Sequence, residues 1–434
     1  MKKSLLIITL CVLFVLAIFV TAFALQLLSA PSSKQDVSVS ATTMPTVSVT
    51  AEPTPSPTPS PTDCVATFGF VGDILMMKSQ IATAKKDDGT YDFTRSFEPM
   101  RELFSSVDVM VGNFEGTFGG EEYAYTQNIG DPRPPTPDNP NPSSPFQEFS
   151  SPDELAENLR ELGFDVLTTA NNHSLDRDIG GLYRTIETIK NAGILRTGTF
   201  LSQEDRETPL IIDINGIKVG IVCATDSING YNDRLSSTER DYAVARLYQN
   251  PEFFAKDISA CREGGAEFII ACVHWGDEYE NVQDSTQERT ARELIEYGVD
   301  AIVGSHPHVV QPIKWIQATR DGEEISVPVI YSLGNFISNM SPDLTHYGLF
   351  LSMELTKNAQ TQKVSVTELK YLPVYCLRQS LSTGERLHQT LPCYSDISRI
   401  TPFEELSSKE ERNIEKCREH ILKVCGTDNA KIMD

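Results

Sequence analysis

The sequence has no Cys-x-x-Cys pair, no run of lysines or arginines, and no repeated unit outside one short proline-rich stretch. The first absence excludes a cysteine-based zinc site. The second excludes a nucleic-acid partner, since phosphate binding needs clustered cations and here 37 basic residues face 60 acidic ones, for a net charge of -23. That charge suits a soluble surface domain, and it repels polyanions unless a metal intervenes. A length of 434 residues with 40% hydrophobic content is enough for one large core or two modest ones.

Long apolar runs are also scarce; the exception spans Leu5 to Leu28, directly after Lys2-Lys3. It is long enough to cross a bilayer as a helix, and the flanking lysines keep the N-terminus inside and the bulk outside. Residues 1–30 therefore read as an uncleaved membrane anchor; Ala22-Phe23-Ala24, which resembles a small-x-small cleavage site, leaves a removed signal segment as the alternative. Residues 31–63 are rich in Ser, Thr and Pro and have almost no large apolar side chains. Such a stretch cannot form a core and favours extended polyproline II, a linker that lifts the following domain off the surface. Of the nine cysteines, Cys376, Cys393, Cys417 and Cys425 follow residue 370, where an exported protein could oxidise them in any of three pairings.

From Val65 onward short apolar runs alternate with helical patterns. Strands are expected at Ala66–Val71, Asp108–Gly112, Val166–Ala170, Lys218–Ala224, Glu267–Val273 and Ala301–Gly304. Helices are expected at Pro152–Leu162, Gly181–Ala192, Pro251–Arg262 and Ser285–Tyr297, with helix-start chemistry in Pro152-Asp153-Glu154 and Ser285-Thr286-Gln287-Glu288. Val309–Ala318, Val327–Ser332, Leu349–Leu355 and Lys363–Tyr371 read as strands without helices between them, so the α/β domain carries an antiparallel portion. Residues 119–151 form a Gly, Pro and Asn-rich insertion, of a length that is usually functional or disordered. A charged tail helix is expected over Glu404–Val424. The domain expectation is 64–375, followed by a C-terminal extension, 376–434.

Chemistry gathers where polar residues interrupt the ends of buried strands, the place where α/β proteins hold ligands. The ends read Gly72-Asp73, Gly112-Asn113-Phe114-Glu115, Asn171-Asn172-His173, His274-Trp275-Gly276 and His306-Pro307-His308. A single such residue has a bland explanation as a turn residue, a cap or a packed histidine. The coincidence argues otherwise, for four of the seven histidines lie at these positions. Imidazoles mixed with carboxylates and an amide suit one or two divalent ions such as Mn, Zn or Fe. On an extended segment the His-x-His spacing would send both rings to one side.

This series, continued by Tyr331-Ser332-Leu333-Gly334-Asn335-Phe336, resembles the capsule-synthesis CapA family, which makes or exports poly-γ-glutamate and belongs to the calcineurin-like metallophosphoesterase superfamily. The resemblance runs in order from about residue 66 to 337. It implies an α/β fold of two mixed β-sheets in a sandwich flanked by helices. It also implies metal ligands at Asp73, Asn172, His274, His306 and His308, with His173 as the catalytic histidine. The pattern departs from the superfamily at Leu75, where a histidine is usual, and at Asn113, where a bridging aspartate is usual; Glu115 is the nearby carboxylate that could bridge instead. Asn171 and Asn335 are further candidates close to the ligands, and Ser305 shapes the site. Trp275 reads first as structural packing and otherwise as an aromatic wall of the site, and Asp277 and Glu278 are acids of a solvated loop or partners of a histidine.

Three functions follow as expectations. One is a membrane-tethered, extracellular hydrolase or transferase acting on poly-γ-glutamate or a related anionic substrate, within a membrane synthesis complex. The second is a non-catalytic module that guides or anchors the polymer, and the third a general extracellular phosphoesterase.

Overall fold

Apolar residues that alternate along short segments pair those segments into two sheets. The computed structural model describes residues 62–127, 147–248 and 251–434; the anchor, nearly all of the linker, and 128–146 of the insertion lie outside them. The strands are β1 (Cys64–Ile74), β2 (Val109–Phe114), β3 (Val166–Thr168), β4 (Leu195–Thr197), β5 (Ile211–Ile214), β6 (Ile217–Thr225), β7 (Phe268–His274) and β8 (Ala301–Ser305). They continue as β9 (Ile313–Arg320), β10 (Glu323–Ile330), β11 (Asn335–Ile337), β12 (Tyr347–Lys357), β13 (Val364–Ser380), β14 (Arg386–Pro392) and β15 (Lys431–Ile432).

Among the described residues the first sheet runs β14-β13-β12-β1-β2-β3-β4, with β11 beside β1 and β15 beside β13; the second runs β5-β6-β7-β8-β10-β9. Pairing is parallel from β1 to β4 and from β6 through β8 to β10, and antiparallel at β12–β14 and β9–β10. Both sheets are therefore mixed, as the sequence pattern and the resemblance imply.

The period of two sorts side chains between layers. Phe68 and Phe70 of β1, Val219 and Ile221 of β6 and Leu351 and Met353 of β12 share one core between the sheets. Val71, Met110, Leu167 and Leu372 face outward under helices that include α1 (Glu154–Leu162), which buries Leu155, Ala156, Leu159 and Leu162. Phe254 and Ile258 of α3 (Pro251–Glu263) and Ala291, Leu294 and Ile295 of α4 (Ser285–Glu296) cover the outer face of the second sheet. Between α1 and α3 in the chain lies α2 (Asp178–Asn191). The last helix, α5 (Ser408–Cys425), places Ile414, Cys417, Ile421 and Cys425 in the inter-sheet core. β13 runs unbroken through residues 375 and 376, and β14 and β15 extend the same sheet.

The helix starts differ in detail from the sequence reading. α4 is capped by Asp284, whose Oδ1 accepts from Thr286 N at 2.6 Å and Gln287 N at 2.8 Å. Asp153 makes no cap bond; Arg184 holds it at 2.6 and 2.7 Å instead, because an arginine fork outcompetes a backbone N–H for a carboxylate. β9 starts at Ile313 rather than Val309, since Val309 and Val310 belong to the turn that carries the paired histidines. The tail helix begins at Ser408, set by the Ser407 cap and Glu410, so residues 404–407 precede it. All eight described cysteines are free thiols, Cys376, Cys393, Cys417 and Cys425 included. Among the described residues no helix is long and apolar enough to cross a membrane.

Candidate metal centre

Parallel strands deliver their carboxyl ends to one side of each sheet, and the polar strand ends meet there. Gly72 lets β1 pass against the neighbouring backbone, for a Cβ at that position would stand 1.8 Å from Gly334 O. Asp73 follows, fully buried and in register with Asn113 of β2 and Asn335 of β11. Its Oδ1 accepts from Asn113 Nδ2 at 2.7 Å. Its Oδ2 has no hydrogen-bond donor and faces His308 Nδ1 at 3.3 Å.

Glu115, just past the end of β2, is 1% exposed, and neither of its carboxylate oxygens has a hydrogen-bond partner. Oε1 lies 3.6 Å from His274 Nε2, and Oε2 lies 3.7 Å from His308 Nδ1. Burial pushes its carboxyl up to about 8, against the pull of His308. Buried unpaired acceptors are costly, so two in one carboxylate call for a cation.

The turn after β3 supplies the amides. Asn171 shapes it, donating to Phe114 O at 2.7 Å and accepting from His173 N at 3.0 Å. Asn172 Oδ1 lies 2.8 Å from His274 Nε2, and its Nδ2 donates to Asn229 Oδ1 at 3.4 Å. His173 Nδ1 meets Asp176 Oδ2 at 2.8 Å, leaving Nε2 3.9 Å from Glu115 Oε1.

The second sheet brings His274 at the end of β7 and the paired histidines after β8. His306 Nδ1 lies 3.1 Å from His274 Nε2. His308 Nδ1 lies 3.0 Å from Asn335 Oδ1, which steadies the ring. The His-x-His segment is not extended: His306 has φ +101° and His308 φ +59°. The two rings converge, 6.0 Å apart, because the backbone turns through left-handed conformations that non-glycine residues rarely adopt.

Burial, then His306, His308 and His173, hold His274 well below the usual imidazole range, and burial with His308 lowers His306 to about 3. Burial opposes charge on His308 too, yet Glu115 and Asp73 raise it to about 10. The imidazoles of His274, His306 and His308 and the carboxyl groups of Asp73 and Glu115 thus face one another in a buried cluster, a donor set that divalent cations could complete.

The donor atoms fall into two groups, each within 4.8 Å: Asp73, Glu115 and His308, and Glu115, His274 and His306. Glu115 belongs to both. Asn172 Oδ1 adjoins the second group, whereas Asn113 bonds Asp73 and His274 Nδ1 (3.3 Å) from behind. Trp275 faces away, fully buried and bonded to Tyr331 O at 2.9 Å, so it packs the second sheet rather than walling the site. Asp277 and Glu278 are exposed.

A cleft of about 410 Å³ opens onto this centre, lined by Asn172, His173 and His308 together with Leu75, Phe149, Asn229, Glu278, Tyr279 and Met340. Leu75 thus gives the cleft an apolar floor where a histidine ligand was the superfamily expectation. Sequence reading missed Asp176, Asn229, Phe149 and Tyr279. Only Asp176 had a local signal, three residues after His173.

Behind the cleft wall, Glu148 accepts from Arg177 at 3.0 Å and Arg234 at 2.9 Å, and Arg234 Nε lies 3.3 Å from Asp178 Oδ1. Glu148, Arg177 and Asp178 are buried. Phe149 N donates to Asp176 Oδ2 at 2.6 Å, tying this network to His173.

Known proteins are similar across most of the chain. The chain is 27% identical over 312 residues to the PGA biosynthesis protein CapA of Bacillus subtilis (strain 168), covering 71% of this chain and 72% of that one. It is 27% identical over 274 residues to the Capsule biosynthesis protein CapA of Bacillus anthracis, covering 62% of this chain and 59% of that protein. Among solved structures, a hypothetical protein from Thermus thermophilus is similar with a TM-score of 0.37 and 12% identity, over 71% of this chain and 98% of that one. The family described as bacterial capsule synthesis protein PGA_cap matches residues 67–340, well over half of the sequence. The chain belongs to that bacterial capsule synthesis family.

Proposed function

We propose that this protein is a metal-dependent hydrolase or transferase acting on amide bonds of poly-γ-glutamate during capsule synthesis. The observation that carries the reading is Glu115, a buried carboxylate without a donor that belongs to both ligand groups. The names of its relatives, PGA and capsule biosynthesis proteins, supply the polymer.

Divalent ions held by Asp73, Glu115, His274, His306 and His308, with Asn172 beside them, would supply Lewis-acid charge for polarising a substrate carbonyl. His173 stands at the cleft, and Asp176 fixes its ring so that Nε2 faces the reacting side. It delivers a proton to the departing amine nitrogen as the C–N bond breaks, while water (hydrolysis) or an incoming amine (transfer) bonds to the acyl carbon and returns its surplus proton to His173. Bound metal charge would offset the polymer's carboxylates, which a chain of net charge -23 would otherwise repel.

Residues 1–30, outside the described residues, tether the domain to the membrane in this reading, with the linker holding the site on the extracellular side. Incubating purified protein and Mn²⁺, Zn²⁺ or Fe²⁺ with poly-γ-glutamate, and counting new amino ends, tests the activity. New ends that vanish in His306→Ala/His308→Ala support it, and an intact polymer with every metal refutes it.

A further inference from the structure

Tyr279 sits at the edge of the cleft in a conformation the sequence would avoid for packing alone. Its φ is +69°, a left-handed backbone for a bulky side chain. Such a conformation is strained for a residue with a bulky side chain. The same turn holds Gly276, at φ +92°, so glycine is used there where freedom is needed and yet position 279 keeps an aromatic ring.

Burial does not explain the ring, because Tyr279 is 42% exposed, one of the few large apolar side chains left in solvent among the described residues. Its backbone is fixed from the site itself: Tyr279 N donates to Pro307 O at 2.8 Å, between the two ligand histidines. Its ring centroid lies 6.2 Å from that of His308. At the His173 side of the cleft stands Phe149, its ring 4.6 Å from His173 in an edge-on arrangement. An aromatic ring therefore flanks the centre beside each of two histidines, with Leu75 and Met340 adding apolar surface.

Resting on the amide-cleaving reading above, we propose that the Tyr279 ring is a substrate-contact surface, on which the uncharged amide plane and methylenes next to the scissile bond pack. The preference is for a flat or aliphatic stretch flanking the bond, with carboxylates directed to the metals or to solvent. The ring acts, not the ionised hydroxyl: the phenol's partial burial against the cleft, and then the Glu278 carboxylate beside it, keep it protonated.

The full-length protein loaded with metal is compared as wild type, Tyr279→Phe and Tyr279→Asn, since asparagine tolerates positive φ and leaves no ring. Three readouts are taken: cleavage of poly-γ-glutamate, binding of a γ-glutamyl oligomer by calorimetry, and metal content with melting temperature. Tyr279→Phe should stay within about threefold of wild type, as a ring is retained. Tyr279→Asn should raise KM or Kd at least about tenfold with metal content unchanged and a melting temperature no lower than wild type. Equal binding and KM in Tyr279→Asn overturns the contact, as does a loss that tracks metal loss or a lowered melting temperature. Wild-type binding that depends on the ring without cleavage leaves the contact standing and refutes the amide-cleaving reading. A wild type that neither cleaves nor binds refutes both.

Discussion

Asn113 donates its amide to Asp73 Oδ1 at 2.7 Å across two paired strands, so it orients the carboxylate of a candidate ligand. Glu115, two residues on, has its oxygens facing residues of both candidate ligand groups. Substituting Asn113→Asp should set two carboxylates against each other in a buried site. The stripped protein loses a few kcal/mol of stability and metal affinity rises, because the added charge is repaid only when cations are present. Melting curves with and without chelator check this: the gap between them should widen relative to wild type.

Asp176 anchors His173 by its 2.8 Å contact and also accepts from Phe149 N. Asp176→Asn keeps the shape but can present an N–H to the ring, favouring the wrong tautomer. Turnover should fall by roughly 10²-fold or more with metal content unchanged. Single-turnover kinetics beside metal analysis separates this from ligand loss.

The buried Glu148 holds two arginines, so Glu148→Ala removes a buried carboxylate that Arg177 and Arg234 share. A destabilisation of about 3–5 kcal/mol is expected, the usual cost of breaking a buried pair from one side. Denaturant unfolding measures it directly, and a loss below about 1 kcal/mol would show that the network is not the strut of this wall.

His388 on β14 is 1% exposed, with neither ring nitrogen hydrogen-bonded. Burial, then Arg378 and Arg386, lower its pKa to about 4. Between that value and the ordinary histidine range near 6.5 the unfolded chain binds a proton that the folded one refuses, so stability is full above about pH 6.5 and is lost as pH falls toward 4. The loss from this residue is at most about 3 kcal/mol. His388→Leu should lose less stability than wild type over that interval, with unchanged behaviour near pH 8; parallel curves would place the acid sensitivity elsewhere.

The layers and the ligands were legible because both rest on short-range patterns. Short apolar runs between polar ends gave the central strands. The coincidence of polar strand ends drew attention to Asp73, Glu115, His173, His274, His306 and His308, which the fold brings together, whereas their individual roles came from the family resemblance. Short elements such as β5, β11 and β15 carry too few residues for a period to register. The geometry of the paired histidines was misread because period two assumes an extended chain, whereas their convergence depends on positive φ, which no residue there advertises. Tyr279 and Asn229 were invisible for a different reason: their place at the cleft is set by contacts between segments far apart in sequence, Tyr279 to Pro307 and Asn229 to Asn172.

A carboxylate common to both candidate ligand groups is the feature on which the proposed chemistry depends, and counting metal in Glu115→Ala tests it most directly. Wild type should hold two ions per chain, Asp73→Ala and His306→Ala should each weaken one, and Glu115→Ala should weaken both together. Two retained ions in Glu115→Ala, or the loss of only one, would contradict a bridged pair.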